Sequence, residues 1–131
     1  MYPTLIQPDT LAAPGGHYSP VVAAAGFVFV AGQLPIDAQG RQLGDAPFEV
    51  QARQVLANVE AALAAAGTTR AHLVQVRVYL TDIGDWAAFN AVYADWLGAH
   101  RPARAVVPVP GLHFGMRLEV EAVALAGEGA P

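Results

Sequence analysis

The sequence contains no cysteine and no lysine, and Ser19 is its only serine. Each absence removes a class of chemistry. Without cysteine there is no disulfide framework, no thiol nucleophile and no zinc site built on thiolates. Without lysine there is no Schiff-base catalysis and no phosphate-loop lysine. Ser19 lacks the Gly-x-Ser-x-Gly surroundings of a nucleophile elbow, so a serine hydrolase of that kind is excluded as well.

Charge is scarce too. Only 14% of the residues are charged, where roughly 25% is usual. The balance is acidic, with 11 Asp and Glu against 7 Arg. That argues against a general nucleic-acid surface. No apolar run approaches the ~20 residues of a membrane span. The longest, 21–31, is broken by Gly26. The N-terminus has no basic stretch ahead of an apolar one, so no signal peptide is expected and a cytoplasmic location is the default.

What is present is apolar. Hydrophobic residues make up 54% of the 131 positions. One domain, 1–131, is the expected count. So few charges cannot cover a lone domain this apolar. Part of the surface is expected to lie against another copy of the chain.

The order of elements follows from periodicity. Residues 8–20 are rich in Pro and Gly and read as a loop. Segments 21–25 and 27–31 flank Gly26 and read as paired strands or a bent hairpin. Pro47 fits the start of a helix. From there Ala52, Val55, Val59, Ala62, Leu63 and Ala66 recur at helical spacing, and Gly67 fits the left-handed stop. Val74, Val76, Val78 and Leu80 alternate with polar residues, as in a strand. Asp85 is placed to cap a second helix with Trp86, Phe89, Tyr93, Trp96 and Leu97 on its inner face. Pro108 and Pro110 make the segment after Arg104 an edge strand or a bent one. Residues 116–125 read as a long strand with Leu118, Val120, Ala122 and Ala124 on one face. The order β-β-α-β-α-β-β predicts an α+β fold, a single mixed sheet with two helices packed on one face. The subunit contact is expected on the other face.

Several residues carry potential chemistry. Arg104 stands at the start of an apolar strand with few acidic neighbours in sequence, and a guanidinium is shaped to hold a carboxylate by two parallel hydrogen bonds. Taken alone, such an arginine more often makes a structural ion pair. Glu119 and Glu121 lie two apart on a strand and share a face. They suit either a general base or cross-strand pairing with Arg77 or Arg117. Tyr18 sits in a flexible loop, able to cover a pocket or simply to pack. Asn90 borders the apolar stripe of the second helix. The histidines, His17, His72, His100 and His113, are scattered and lack the i, i+4 spacing of a helical zinc site, so no metal is expected. Gly111–Gly115 is not a phosphate loop.

Taken together, these segments resemble the RidA, or YjgF-like, family, also known by the name L-PSP endoribonuclease. They are Gly16-His-Tyr-Ser, Phe27-Val-Phe-Val-Ala-Gly-Gln-Leu-Pro, Gln51-Ala-Arg-Gln-Val-Leu-Ala-Asn-Val, Val76-Arg-Val-Tyr-Leu-Thr-Asp, Phe89-Asn-Ala-Val-Tyr, Arg101-Pro-Ala-Arg and Leu118-Glu-Val-Glu-Ala-Val-Ala. The resemblance runs from about Gly16 to Leu125, and its specificity lies in number, order and spacing. It implies a chorismate-mutase-like fold, a homotrimer with pockets between subunits, and no cofactor. It implies hydrolysis of reactive enamines or imines, such as 2-aminoacrylate, to a 2-keto acid and ammonia. Arg104 matches the family arginine that grips the substrate carboxylate. Glu119 matches the glutamate that positions the attacking water. Tyr18 matches the tyrosine of the closing loop, Gly32 the glycine of the Ser-Gly-Gln turn, and Asn90 an asparagine near the pocket. Val106 stands where the family often has Cys or Ser, leaving a backbone N–H for the carboxylate. His17 replaces a proline, Ala31 replaces a serine, and Pro108, Pro110 and 111–114 replace a more charged loop. The alternatives are a non-catalytic trimer that senses a small carboxylate metabolite and, less in keeping with the charge, an endoribonuclease. Neither nucleic acid nor membrane is expected as a partner.

Overall fold

The computed structural model describes residues 1–128, and residues 129–131 lie outside them. The chain runs through β1 (Thr4–Ile6), β2 (Val21–Ala24), β3 (Phe27–Gln33), α1 (Phe48–Ala65), β4 (Leu73–Leu80), α2 (Trp86–Leu97), β5 (Ala103–Pro108) and β6 (Leu118–Leu125). This is the expected order with β1 added in front. The six strands form one mixed sheet in the order β1-β2-β3-β6-β4-β5. Only β4 and β5 pair in parallel, because α2 carries the chain back between them. β6 inserts antiparallel between β3 and β4 and becomes the central strand. β5 is an edge, as the two prolines suggested.

Alternation decides which side chains meet the helices. Val28, Val30, Val76, Val78, Leu118, Val120, Ala122 and Ala124 point to one face and are buried. α1 covers that face with Ala52, Val55, Leu56, Val59, Ala62 and Leu63. α2 packs beside it through Phe89 and Tyr93. Gly67 ends α1 at φ 77°. Its N–H donates to Ala64 O, and the Thr68 N–H donates to Leu63 O, the reciprocal pattern of a Schellman motif. Thr68 Oγ1 then donates to Leu125 O at 2.8 Å and fastens the helix end to β6.

Three local expectations change. Pro47 is the N-cap of α1, one residue outside the helix. Asp85 precedes α2, but its side chain makes no cap bond; it accepts from Arg117 Nη2 instead, at 2.8 Å to each oxygen. Val74 is exposed and Leu73 takes the core position, because the β4–β6 register shifts between Leu73 and Gln75. Among the described residues, no helix packs on the opposite face of the sheet. Phe29, 44% exposed, stands there with Tyr79 and Glu121, whose side chains are hydrogen-bonded at 2.5 Å. No helix among the described residues is long and apolar enough to cross a membrane.

Candidate functional site

The six expected site residues fall into two groups on opposite faces of the sheet. The first group is built around Glu119. Alternation along β6 turns Leu118 and Val120 to the helices and Glu119 to the open face. Its register partner is Tyr79. Glu121 shares that face, bonded to Tyr79 and 3.8 Å from Arg77. The expected pairing of a glutamate with Arg77 therefore concerns Glu121, and among the described residues Glu119 has no arginine partner. Burial pushes the Glu119 carboxyl above its ordinary value; His113 opposes the shift and the Glu121 charge adds to it. A carboxyl in that condition is suited to taking up and returning a proton.

Gly32 explains where the Glu119 carboxylate can lie. The register between β3 and β6 is irregular from Val30 to Gln33, which brings Gly32 against Glu119. A Cβ on Gly32 would lie 2.6 Å from Glu119 Oε2, so only glycine leaves that space. Gly32 also lines a cavity of about 470 Å³, together with Leu11, Tyr18, Ile36, His113 and Phe114. Tyr18 is 53% exposed at its rim, in a tight turn where its N–H donates to Gly16 O. The loop behind the cavity is held by Asn58, a buried polar residue of α1 that donates to Leu34 O and Ile36 O. His113 and Phe114 were not expected at the site. They sit on a short turn where Phe114 has φ 61°, and no periodic signal marks such a turn.

The second group is built around Arg104. Arg104 lies beside Val76 in the β4–β5 register and so points to the helix side. Its Nη1 donates to Asn90 Oδ1 at 2.9 Å. Its guanidinium carbon lies 4.9 Å from the Tyr93 ring centre and 5.6 Å from that of Trp86. Trp86, expected on the inner face of α2, is 42% exposed and faces Arg104. Val106 follows on the same side and packs its side chain against the core.

Among the described residues, Arg41, Arg53, Arg70, Arg77 and Arg117 each lie within 4.0 Å of a carboxylate. Arg104 does not. It is half-buried, oriented and uncompensated, which is the condition of an anion site. The histidines are divided similarly. His100 Nε2 bonds Leu73 O, His72 bonds Thr69, and His113 stands at the cavity. No group of three or more His, Asp or Glu that could hold a metal occurs among the described residues.

Known proteins share this arrangement of sequence and fold. A RutC family protein of Pyrococcus horikoshii is 41% identical over 111 residues, covering 85% of this chain and 88% of that protein. The human 2-iminobutanoate/2-iminopropanoate deaminase is 36% identical over 121 residues, covering 91% and 88%. The crystal structure of E. coli TdcF with bound serine superposes with a TM-score of 0.87 at 33% identity, covering 95% and 99%. The profile of the family called Endoribonuclease L-PSP matches residues 10–126. The chain therefore belongs to the endoribonuclease L-PSP family, the RidA/YjgF-like group that the sequence motifs resemble.

Proposed function

We propose that the protein hydrolyses imines of 2-amino acids, and the enamines that precede them, to 2-keto acids and ammonia. The observation that carries this reading is Arg104, an arginine fixed by neutral partners and left without a counter-charge among the described residues. Its relatives support the chemistry: one is named as a deaminase of two 2-imino acids, and another was crystallised with serine, which bears the same carboxylate.

The steps need little from the protein. Arg104 holds the substrate carboxylate. Glu119 orients a water and takes its proton as the oxygen adds to the electrophilic carbon. Glu119 returns that proton to the nitrogen, giving the neutral carbinolamine, then takes the hydroxyl proton and passes it to the amino nitrogen as the C–N bond breaks and ammonia leaves. The carbon keeps the oxygen as a ketone. No covalent enzyme intermediate, lysine or thiol is required.

One chain cannot complete this site, because Arg104 and Glu119 project from opposite faces of one sheet. The site is accordingly assembled between copies in a homo-oligomer, in keeping with a trimer, with Arg104 and Asn90 from one copy and Glu119, Gly32 and Tyr18 from the next. The open face, where exposed Phe29 stands beside Arg77, Tyr79 and Glu121, supplies surface for that contact.

Imines generated in place by an amino-acid oxidase test the reaction. The protein is expected to speed keto-acid and ammonia release over a panel of amino acids. Arg104→Ala is expected to lower kcat/KM by about a hundredfold. A wild-type protein that gives no acceleration but is stabilised thermally by 2-keto acids is a binding module instead.

A further inference from the structure

Two arginines of the helix side show opposite designs. Arg117 gives its charge to Asp85 and stacks on Phe48 at 5.1 Å. Arg104 is surrounded by an amide oxygen and two aromatic faces, Asn90, Trp86 and Tyr93, all on α2 and spaced to one side of it. A guanidinium loses much side-chain freedom when it is held, and a carboxylate partner that holds it also cancels its charge. Aromatic faces within about 6 Å hold it without cancelling anything. Tyr93 remains neutral in this role, since burial pushes its phenol up to about 12.

We infer that Trp86 and Tyr93 are positioning residues that clamp the Arg104 guanidinium between neutral surfaces, so that its remaining N–H donors meet a substrate carboxylate at full charge. The inference rests on the proposed function and adds to it two residues to which the resemblance assigns no role, Tyr93 at the end of the Phe89-Asn-Ala-Val-Tyr segment and Trp86 ahead of it. Among the described residues, Asn90 is the one side-chain acceptor of an Arg104 hydrogen bond, at Nη1. The other nitrogens are left for a ligand. Of the two rings, Trp86 is exposed to solvent and Tyr93 is buried.

Trp86 is the residue to test, because its exposure makes its replacement structurally mild. Imine hydrolysis is measured for wild type, Trp86→Leu and Trp86→Phe, with pyruvate and its neutral amide, pyruvamide, as competing ligands. Trp86→Leu is expected to raise KM about five- to tenfold, well beyond any fall in kcat. It is also expected to narrow the preference for pyruvate over pyruvamide by a similar factor. Trp86→Phe, which keeps a π face, is expected to stay within about twofold of wild type on both counts. Equal weakening of pyruvate and pyruvamide, or kinetics like those of wild type, overturns the clamp while leaving the proposed reaction standing. A wild-type protein that neither hydrolyses imines nor binds pyruvate overturns the proposed function and the clamp together.

Discussion

Gly32 and Glu119 are in contact so close that one methyl group separates function from stability. The Cβ of Gly32→Ala would strike the Glu119 carboxylate, the free end of a flexible side chain, rather than any backbone atom. The carboxylate moves and the fold does not. The expected outcome is a thermal midpoint within about 2 °C of wild type and a fall in kcat of tenfold or more, about the reach of a misplaced general base. Calorimetry and the imine assay on one preparation check both. Glu119→Gln separates the same two quantities by pH. The raised Glu119 value means that its ionised form is the one burial disfavours. The Glu119 contribution to stability is therefore fully present below the ordinary carboxylate range and is lost as pH rises through the raised value. Catalysis runs the other way, since the base must be ionised. Glu119→Gln is expected to lose about a hundredfold in rate, and to be at least as stable as wild type at neutral pH. That advantage is expected to vanish in acid, and unfolding curves at the two pH values measure it. At this scale Arg104 and Glu119 were singled out by the family motifs they stand in, since taken alone each reads as readily as a structural ion-pair partner. Trp86 was misplaced because helical spacing assigns it to the inner stripe, while the side chain on the next strand that draws it outward lies far along the chain. Gln51 and Asn58 gave no signal either. They are polar residues in an apolar stripe, and their partners, Gly44 O, Ala46 O, Leu34 O and Ile36 O, are loop carbonyls that no local pattern names.

Helix α2 is the element that presents the arginine, and its first turn is fixed from outside. Asp85, just ahead of Trp86, accepts from Arg117, the residue before β6, and Arg117 N–H donates to Gln51 Oε1 of α1. These bonds tie both helices and the central strand to one point, where a simple cap would have tied α2 only to itself. Asp85→Ala is expected to cost about 1–2 kcal/mol, read as a lower urea midpoint with an unchanged slope. It is also expected to raise KM, because the start of α2 carries Trp86. The long elements were legible: α1 from its apolar spacing and its glycine stop, and β6 from its alternation. β1 was not, since a strand of Thr4–Ile6 is too short to show a period and exists only through its pairing with β2. The slip that exposes Val74 was hidden for a related reason, because a bulge is settled between strands rather than within one.

The whole molecule joins a closed helix side to an open sheet face, and each side holds half of the residues of the proposed site. The low charge of the sequence already implied a covered surface, and the exposed Phe29 and the half-buried Tyr79 and Glu121 show which face lacks cover. What the sequence could not reveal is that the face of the sheet divides the candidate residues. Arg104 and Glu119 read as neighbours in a list of motifs, and only the register of β4 with β5 and β6 sets them back to back. Sharing between subunits is thus the central claim, and complementation tests it most directly. Arg104→Ala and Glu119→Gln, each inactive alone, are unfolded, mixed in equal amounts and refolded together. Random assembly gives each site its intact arginine half the time and its intact glutamate half the time. The account predicts recovery of about a quarter of wild-type activity, whatever the number of subunits in the ring. A mixture as inactive as its two components, with wild type refolded in parallel regaining its activity, would contradict it.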